Sequence, residues 1–500
     1  MNPSSKVAGT IAAGAEPARH PRGLYTLFFT EMWERFSYYG MRALLVLFMV
    51  DAVGKGGMGL DDKVATSIYG LYTAGVYLAA LPGGWVADRL LGAQRSIWYG
   101  GLLIAAGHFT LAIPRVEAFY LGLMLLVIGT GLLKPNISAI VGELYPEGGA
   151  RRDAGFTIFY MGINLGAAIG PLICSTLGEK INWHYGFAAA GVGMVLGLIQ
   201  YRLTARHLGE AGLRPGNQRA LSRVNRLAFG GAMAALVLAV GLGLTGRLRI
   251  NPVWLAQRTT TVIVSVAVLY FVAVLGLGKL ESAEKKRVIV IFLLFVSAAI
   301  FWAGFEQAGS SLNLFAERHT ERTIGRLHYE VPAGWLQSLN PLFIITLAPV
   351  VAATWVRLAR RRLNPSVPVK FGLGLVLLAL GFLVMSGAAL RVVAGHKAWP
   401  TWLMSTYLLH TIGELCLSPV GLSSVTKLAP RRLVGQMMGT WFLGASLGNL
   451  IAGLVAGEFK PDTLDQMPTQ FLQIVWMPLA AGVLLIVLAR PIKKLMAGVE

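Results

Sequence analysis

The sequence predicts an all-α polytopic membrane protein of fourteen transmembrane helices, arranged as two blocks of six with a two-helix insertion between them. Three observations predict it. The 500 residues are 55% hydrophobic with a mean hydropathy of +0.61 and only 14% charged, whereas a soluble chain is about a quarter charged. Fourteen apolar runs are bounded by charge or by Pro/Gly clusters, each close to the roughly 20 residues that cross a bilayer as a helix. The cationic residues are spread unevenly over the connections between those runs.

The runs fall near 24–50, 64–88, 95–113, 118–141, 153–177, 185–204, 224–245, 259–278, 288–312, 337–357, 370–391, 401–427, 434–456 and 470–490. An even number places both termini on one side. Of the 44 Lys and Arg, 28 lie on connections that share that side and 13 on the other, with Arg35, Arg42 and Lys134 left inside runs. The positive-inside rule then puts both termini in the cytoplasm, of a multi-pass protein of the cell's inner (plasma) membrane. The same map explains the formal charge of +20 without nucleic acid, and leaves contact with anionic membrane lipid as its by-product.

The seventh and eighth runs are plainer than the rest and follow a basic linker. Setting them aside divides the chain into a tail at 1–23, a six-helix bundle at 24–204, the linker and inserted pair at 205–287, a second six-helix bundle at 288–490, and a tail at 491–500. Residues 1–23 lack the unbroken apolar core of a signal peptide and read as a retained, disordered tail. Cys174 and Cys416 both fall in apolar runs, with no metal-ligand spacing and no disulfide framework.

The first run is the costly one. It contains Glu31, Glu34, Arg35 and Arg42, and each such charge costs about 2.5–3.5 kcal/mol at mid-membrane. A penalty of roughly 10 kcal/mol is tolerable only if the charges face a protein interior or a water-filled path and compensate one another. At about 100° per residue, Glu31, Glu34, Arg35, Tyr38 and Arg42 share one face, with Glu31 and Arg35 at contact spacing. The expectation is a protonatable ion-pair network beside a pathway.

Further polar groups lie inside other runs. Lys134, between Gly131 and Pro135, is the expected cationic partner of Glu31 or Glu34. Asn164 offers both a donor and an acceptor. Glu306, in the first run of the second block, needs a cation, and Arg42 is the one unassigned. Glu414 is then an acid with no mid-membrane cation left, which invites a cationic ligand or a proton. His410, four residues earlier, reads as a packing histidine. No Gly-rich phosphate loop, zinc-like cluster or Gly-x-Ser-x-Gly turn occurs, so the chain shows no catalytic constellation, no metal site and no cofactor site; it is not expected to be an enzyme.

Two signatures then connect these positions to known proteins. Gly83-Gly84-Trp85-Val86-Ala87-Asp88-Arg89 resembles the cytoplasmic Asp-Arg loop of the major facilitator superfamily. Glu31 to Gly40 satisfies E-x-x-E-R-F-x-Y-Y-G, and Gly131 to Asn136, Phe301 to Gln307 and Gly413 to Pro419 follow in order. Together they resemble the proton-dependent oligopeptide transporter (POT/PTR) family of that superfamily, in its bacterial form with two extra helices.

The resemblance implies a major facilitator fold and a symporter importing di- and tripeptides with protons, by alternating access. Carried onto this chain, it makes Glu31, Glu34 and Arg35 the coupling motif with Lys134 as partner, and Arg42 with Glu306 a proton-sensitive gate. It places Arg42, Lys134, Tyr38, Tyr39 and Tyr72 around the peptide carboxylate. Glu414, Asn164 and Asn340 take the amine and backbone end, with Trp302 and Trp441 as apolar wall. The chain departs from some relatives at Phe305, where they carry a second acid. A proton-coupled antiporter of drugs or organic anions from the same superfamily is the alternative. On physical grounds, a zwitterionic peptide fits between cations of the first block and Glu414 of the second. A peptide carboxylate competing with Glu31 or Glu34 for Arg35 or Lys134 would leave the displaced acid to take a proton.

Overall fold

In a computed structural model of the chain, residues 19–147, 149–215, 223–248, 250–325, 329–459 and 463–498 are described. The expectation for the amino-terminal tail therefore falls almost wholly outside the described residues. The helices are α1 (Arg22–Val50), α2 (Asp62–Val86), α3 (Ala93–Leu111), α4 (Val116–Glu143), α5 (Gly149–Lys180), α6 (Trp183–Thr204), α7 (Arg223–Leu244), α8 (Pro252–Leu277), α9 (Ser282–Phe305), α10 (Ser311–His319), α11 (Leu339–Arg360), α12 (Val367–Val393), α13 (Pro400–Leu428), α14 (Val434–Ala456), α15 (Met467–Val487) and α16 (Ala489–Leu495). Fourteen of them overlie the fourteen apolar runs.

Among the described residues, eleven helical stretches are long and apolar enough to cross a membrane by length and composition. α1 is not among them, because every 18-residue stretch of it holds at least three of Glu31, Glu34, Arg35 and Arg42. It still runs through the centre of the first bundle, packed by α5 and α6.

Lipid offers no hydrogen bonds, so each span closes its own backbone ladder and the sequence caps the ends. Asp61 accepts the Lys63 N–H at 2.8 Å to start α2, and Asn182 accepts the His184 N–H at 2.9 Å to start α6. Asn251 accepts from Val253 and Trp254 with Pro252 behind it, and Glu281 and Glu284 form a capping box on α9, all standard starts.

In the first half α1 packs on α5 and α6, α3 on α4 and α6, and α2 on α4. In the second half α12 packs on α13 and α15, α9 on α14, and α11 on α13. The halves meet where α2 lies on α14 and α5 on α11. α8 of the inserted pair lies against both α2 and α14, and α7 touches α4. Where α1 crosses α5, a side chain at Gly170 would strike the backbone of Phe36 and one at Gly40 would strike Cys174. Small residues here let the charged helix approach to backbone distance.

Two features depart from the sequence expectation. The ninth run, expected as one helix to residue 312, breaks at Phe305 into a 3-10 turn, Glu306–Gly309, before α10 begins. The break has a tertiary cause: Gly309 sits against the Tyr69 ring, leaving no room for a Cβ, while Glu306 reaches Arg42. The connection from α10 to α11 is also structured. It holds the antiparallel pair β1 (Thr323–Ile324) and β2 (Tyr329–Glu330) and a 3-10 turn, Ala333–Ser338, that leads into α11.

Hydrogen bonds and ion pairs joining the halves gather at the end away from the termini, the distal end. Arg318 forks onto Asp62 at 2.6 and 2.8 Å, Lys63 reaches Glu458 at 2.7 Å, and Asn313 donates to the Ala43 carbonyl at 2.9 Å. Toward the termini α11 stands largely clear: only Pro341 and Ile344 of it are buried.

Candidate functional site

The charges of α1 are gathered on the inward face that its spacing requires. Arg35 Nε lies 3.2 Å from Glu31 Oε1 and also bonds the Glu34 carboxylate. Glu31, Glu34 and Arg35 are 3, 0 and 3% exposed, so a single guanidinium serves two acids in a dry site. Glu31 Oε2, Glu34 Oε1 and Arg35 Nη2 remain buried without a hydrogen-bond partner among the described residues. Unspent polar capacity of this kind costs stability unless something uses it. Tyr38 lies against Arg35, whose guanidinium carbon is 5.1 Å from the ring centre, and stacks with Tyr72.

Two turns along α1, Arg42 spans the halves. Its Nη2 is 2.8 Å from Glu306 Oε2, and its Nε donates to the Tyr69 hydroxyl at 2.6 Å. The rings of Tyr39 and Tyr69 flank the guanidinium at 5.6 and 5.8 Å. Buried charge is here both paired and hydrogen-bonded, the only economical arrangement in low dielectric.

Lys134 departs from its expected partner. Its Nζ sits over the Tyr77 ring, 4.4 Å from the centre, and among the described residues no carboxylate oxygen lies within ion-pair distance of it. The reason is local: Arg35 already takes both acids from their own helix. Lys134 stays within Coulombic reach of Glu31, Glu34, Arg35 and Glu306, held instead by a cation–π contact.

In the second half, the Asn340 amide donates to Glu414 Oε2 at 3.1 Å and to Thr411 Oγ1 at 3.0 Å. No Lys or Arg of the described residues forms an ion pair with Glu414. Tyr39, Lys134, Trp302, Asn340 and Glu414 are each half-buried although they belong to inward helix faces, which marks open space between the halves. Lys134 thus faces that space from one half and the Glu414 carboxylate faces it from the other.

The remaining expected residues are less central. Asn164 donates to the Tyr160 carbonyl on its own helix at 2.9 Å. Trp441 is buried against Gly421 and Phe371 inside the second half, while Trp302 rests on Gly448. His410 is buried, with Nε2 3.2 Å from the Leu378 carbonyl and its ring beside Phe382. No group of three or more metal-ligating side chains occurs among the described residues. A recess of about 590 Å³ lies on the outer face of α1, α5 and α6, lined by apolar groups such as Met32, Ile169 and Val192, and offers a peptide nothing charged.

Sequence reasoning missed Tyr69 and Tyr77, which hold Arg42 and Lys134. The signal was present: Tyr69, Tyr72 and Tyr77 recur along α2 at near-helical spacing, a polar aromatic stripe inside an apolar run.

Comparison with known proteins gives the chain's relatives. The family model described as "POT family" matches residues 94–474. The chain is 45% identical over 496 residues to the peptide transporter YePEPT of Yersinia enterocolitica subsp. palearctica, covering 96% of each. It is 39% identical over 493 residues to a di-/tripeptide transporter of Lactococcus lactis subsp. cremoris, covering 96% of this chain and 97% of that one. A crystal structure of a peptide transporter POT in complex with sulfate superposes with a TM-score of 0.89 at 43% identity, covering 97% of both chains.

Proposed function

This chain belongs to the POT family, and from that premise we propose that it is a proton-coupled symporter importing di- and tripeptides by alternating access. It is a multi-pass membrane transporter. The observation that carries the reading is the opposition of Lys134 and the Arg35 and Arg42 pairs on the first half to Glu414 on the second. A peptide with a free carboxylate and a free amine is complementary to that opposition and bridges the halves when bound.

In this reading the peptide carboxylate meets Lys134 first, because Arg35 and Arg42 are already engaged, with Tyr38, Tyr39 and Tyr72 around it. Once Lys134 is shared, the field holding Glu31 and Glu34 ionised weakens and one of them takes a proton. Peptide and proton are then linked through shared cations. Glu414 with Asn340 receives the amine end, Asn164 lies near the peptide backbone, and Trp302 and Trp441 supply apolar wall. Protonation of Glu306 would release Arg42, making their bond a gate between the halves.

The working division is 24–204 and 288–490 for the bundles, 205–287 for the linker and inserted pair, and short tails at 1–23 and 491–500. We place the protein in the inner membrane with both termini cytoplasmic, where its basic connections meet anionic lipid and no nucleic acid is needed. The distal end, closed by Asp62–Arg318 and its neighbours, then faces outward.

The test is peptide uptake into vesicles under an imposed inward proton gradient. The reading expects di- and tripeptides to accumulate above their external concentration and to stop doing so when the gradient is collapsed. Efflux of an organic anion or drug with no peptide accumulation would replace it with the antiporter.

A further inference from the structure

A strip along the distal half of α5 grips the turn that launches α11. The Ala168 carbonyl accepts from Ser338 Oγ at 2.7 Å, and the Leu172 carbonyl and Thr176 Oγ1 accept from Trp335 Nε1 at 3.0 and 2.9 Å. The Glu179 carboxylate accepts from the backbone N–H groups of Ala333 at 2.6 Å and Gly334 at 2.9 Å. Positions 168, 172, 176 and 179 recur every three or four residues, so one helix face makes every contact. Gly334 is required there, since a Cβ would strike Ser175 Oγ.

Of the four residues only Glu179 carries charge, and its side chain is 7% exposed. Arg322 Nη1 stands 3.9 Å from it, and Arg322 Nη2 is tied to Glu317 at 2.6 Å and Glu330 at 3.1 Å. Lys180 lies 3.6 Å from Glu330, and Asp51 at the end of α1 accepts from Trp183 Nε1 instead. The gripped turn runs straight into Asn340, which holds Glu414.

We propose that Glu179 is a positioning residue of the transport cycle: ionised, it clamps the head of α11 and keeps the distal mouth shut, and neutralising it releases that mouth. The charge-assisted bonds to two N–H groups, and the attraction of the Arg322 guanidinium 3.9 Å away, are at full strength only while the carboxylate is ionised. A proton removes the charge and turns one acceptor oxygen toward those N–H groups as a donor. Release at Ala333 and Gly334 moves Asn340 relative to Glu414, which joins opening of the mouth to the amine end of the site. The link to transport rests on the proposed function; the clamp itself does not.

The test is a distance measurement between spin labels at Ile113→Cys and Ile324→Cys, which are exposed on opposite halves of the distal end; Cys174 and Cys416 are buried and do not compete. Measurements are made in liposomes with no peptide and no gradient. Glu179→Gln should raise the ratio of long to short distances roughly tenfold, the effect of losing a hydrogen bond to a charged group. Acidification should produce the same shift in the parent protein and none in Glu179→Gln. Glu179→Asp keeps the charge and should keep the pH response, so it serves if the Gln variant does not fold. An unchanged distribution in Glu179→Gln would overturn the clamp. So would a full pH response persisting in that variant, which would assign the response to Glu317 or Glu330. Because no peptide enters the measurement, a failure of symport in vesicles and a failure of the clamp are read separately.

Discussion

α1 and α11 sit in opposite halves and share the central space, yet they are built in opposite ways. Twenty-one of the 29 residues of α1 are buried, four charges among them, and α5 and α6 enclose it. Of the 22 residues of α11 two are buried, and its main contacts are with α5, α13 and the turn before it. Buried charge can be held only where partners are fixed within a few tenths of an ångström, which demands the most enclosed helix. A helix with little buried area has little holding it in place, so the account gives α11 the motion and α1 the chemistry.

The contrast breaks or sharpens under substitution. The largest effect is expected at the coupling cluster: Glu34→Gln and Lys134→Gln should each reduce gradient-driven peptide accumulation to the passive level while leaving counterflow exchange. Unimpaired uphill uptake by both variants would take the chemistry away from α1 and its neighbour. Next, Arg42→Ala leaves Glu306 buried without its cation and should destabilise the protein by about 3–5 kcal/mol, read as a lowered melting temperature in detergent. Glu306→Gln placed in the same variant should restore much of the loss; no loss in the single variant would mean that α1 is not held by this pair.

A smaller effect is expected at the other end of the site. Glu414→Gln should weaken binding of peptides with a free amine by roughly tenfold and of N-blocked peptides much less. Equal losses for both would reverse the assigned orientation. The smallest belongs to the exposed face of α11, where Val350→Ala should change stability by no more than about 0.5 kcal/mol. Leu45→Ala, fully buried on α1, should cost about 2–5 kcal/mol. A large loss at Val350 would show that α11 is packed after all.

Most of the fold was legible because lipid imposes a single rule, runs of about 20 apolar residues, and α1 kept its length despite its charges because every charge found a partner. The break at Glu306 was not legible. Phe301 to Leu312, although it holds Glu306, Gln307, Ser310 and Ser311, carries no proline to stop a helix, and the helix stops where Tyr69 and Arg42 arrive from the other half. The same limit separates the two cations. Spacing along one helix identified Arg35 as the partner of Glu31, but it could not say that Lys134, on another helix, would rest on Tyr77. Glu179 and Arg318 sit at span ends, where a charge looks solvated in sequence and proves to join the halves in three dimensions.

The central claim is that peptide and proton share cations. Its most direct test is simultaneous recording of labelled dipeptide uptake and internal pH in liposomes containing the purified protein, with no imposed voltage. The account predicts that each pulse of peptide acidifies the interior and that Lys134→Gln loses the acidification while still exchanging peptide. Peptide uptake with no proton movement in the parent protein would contradict it.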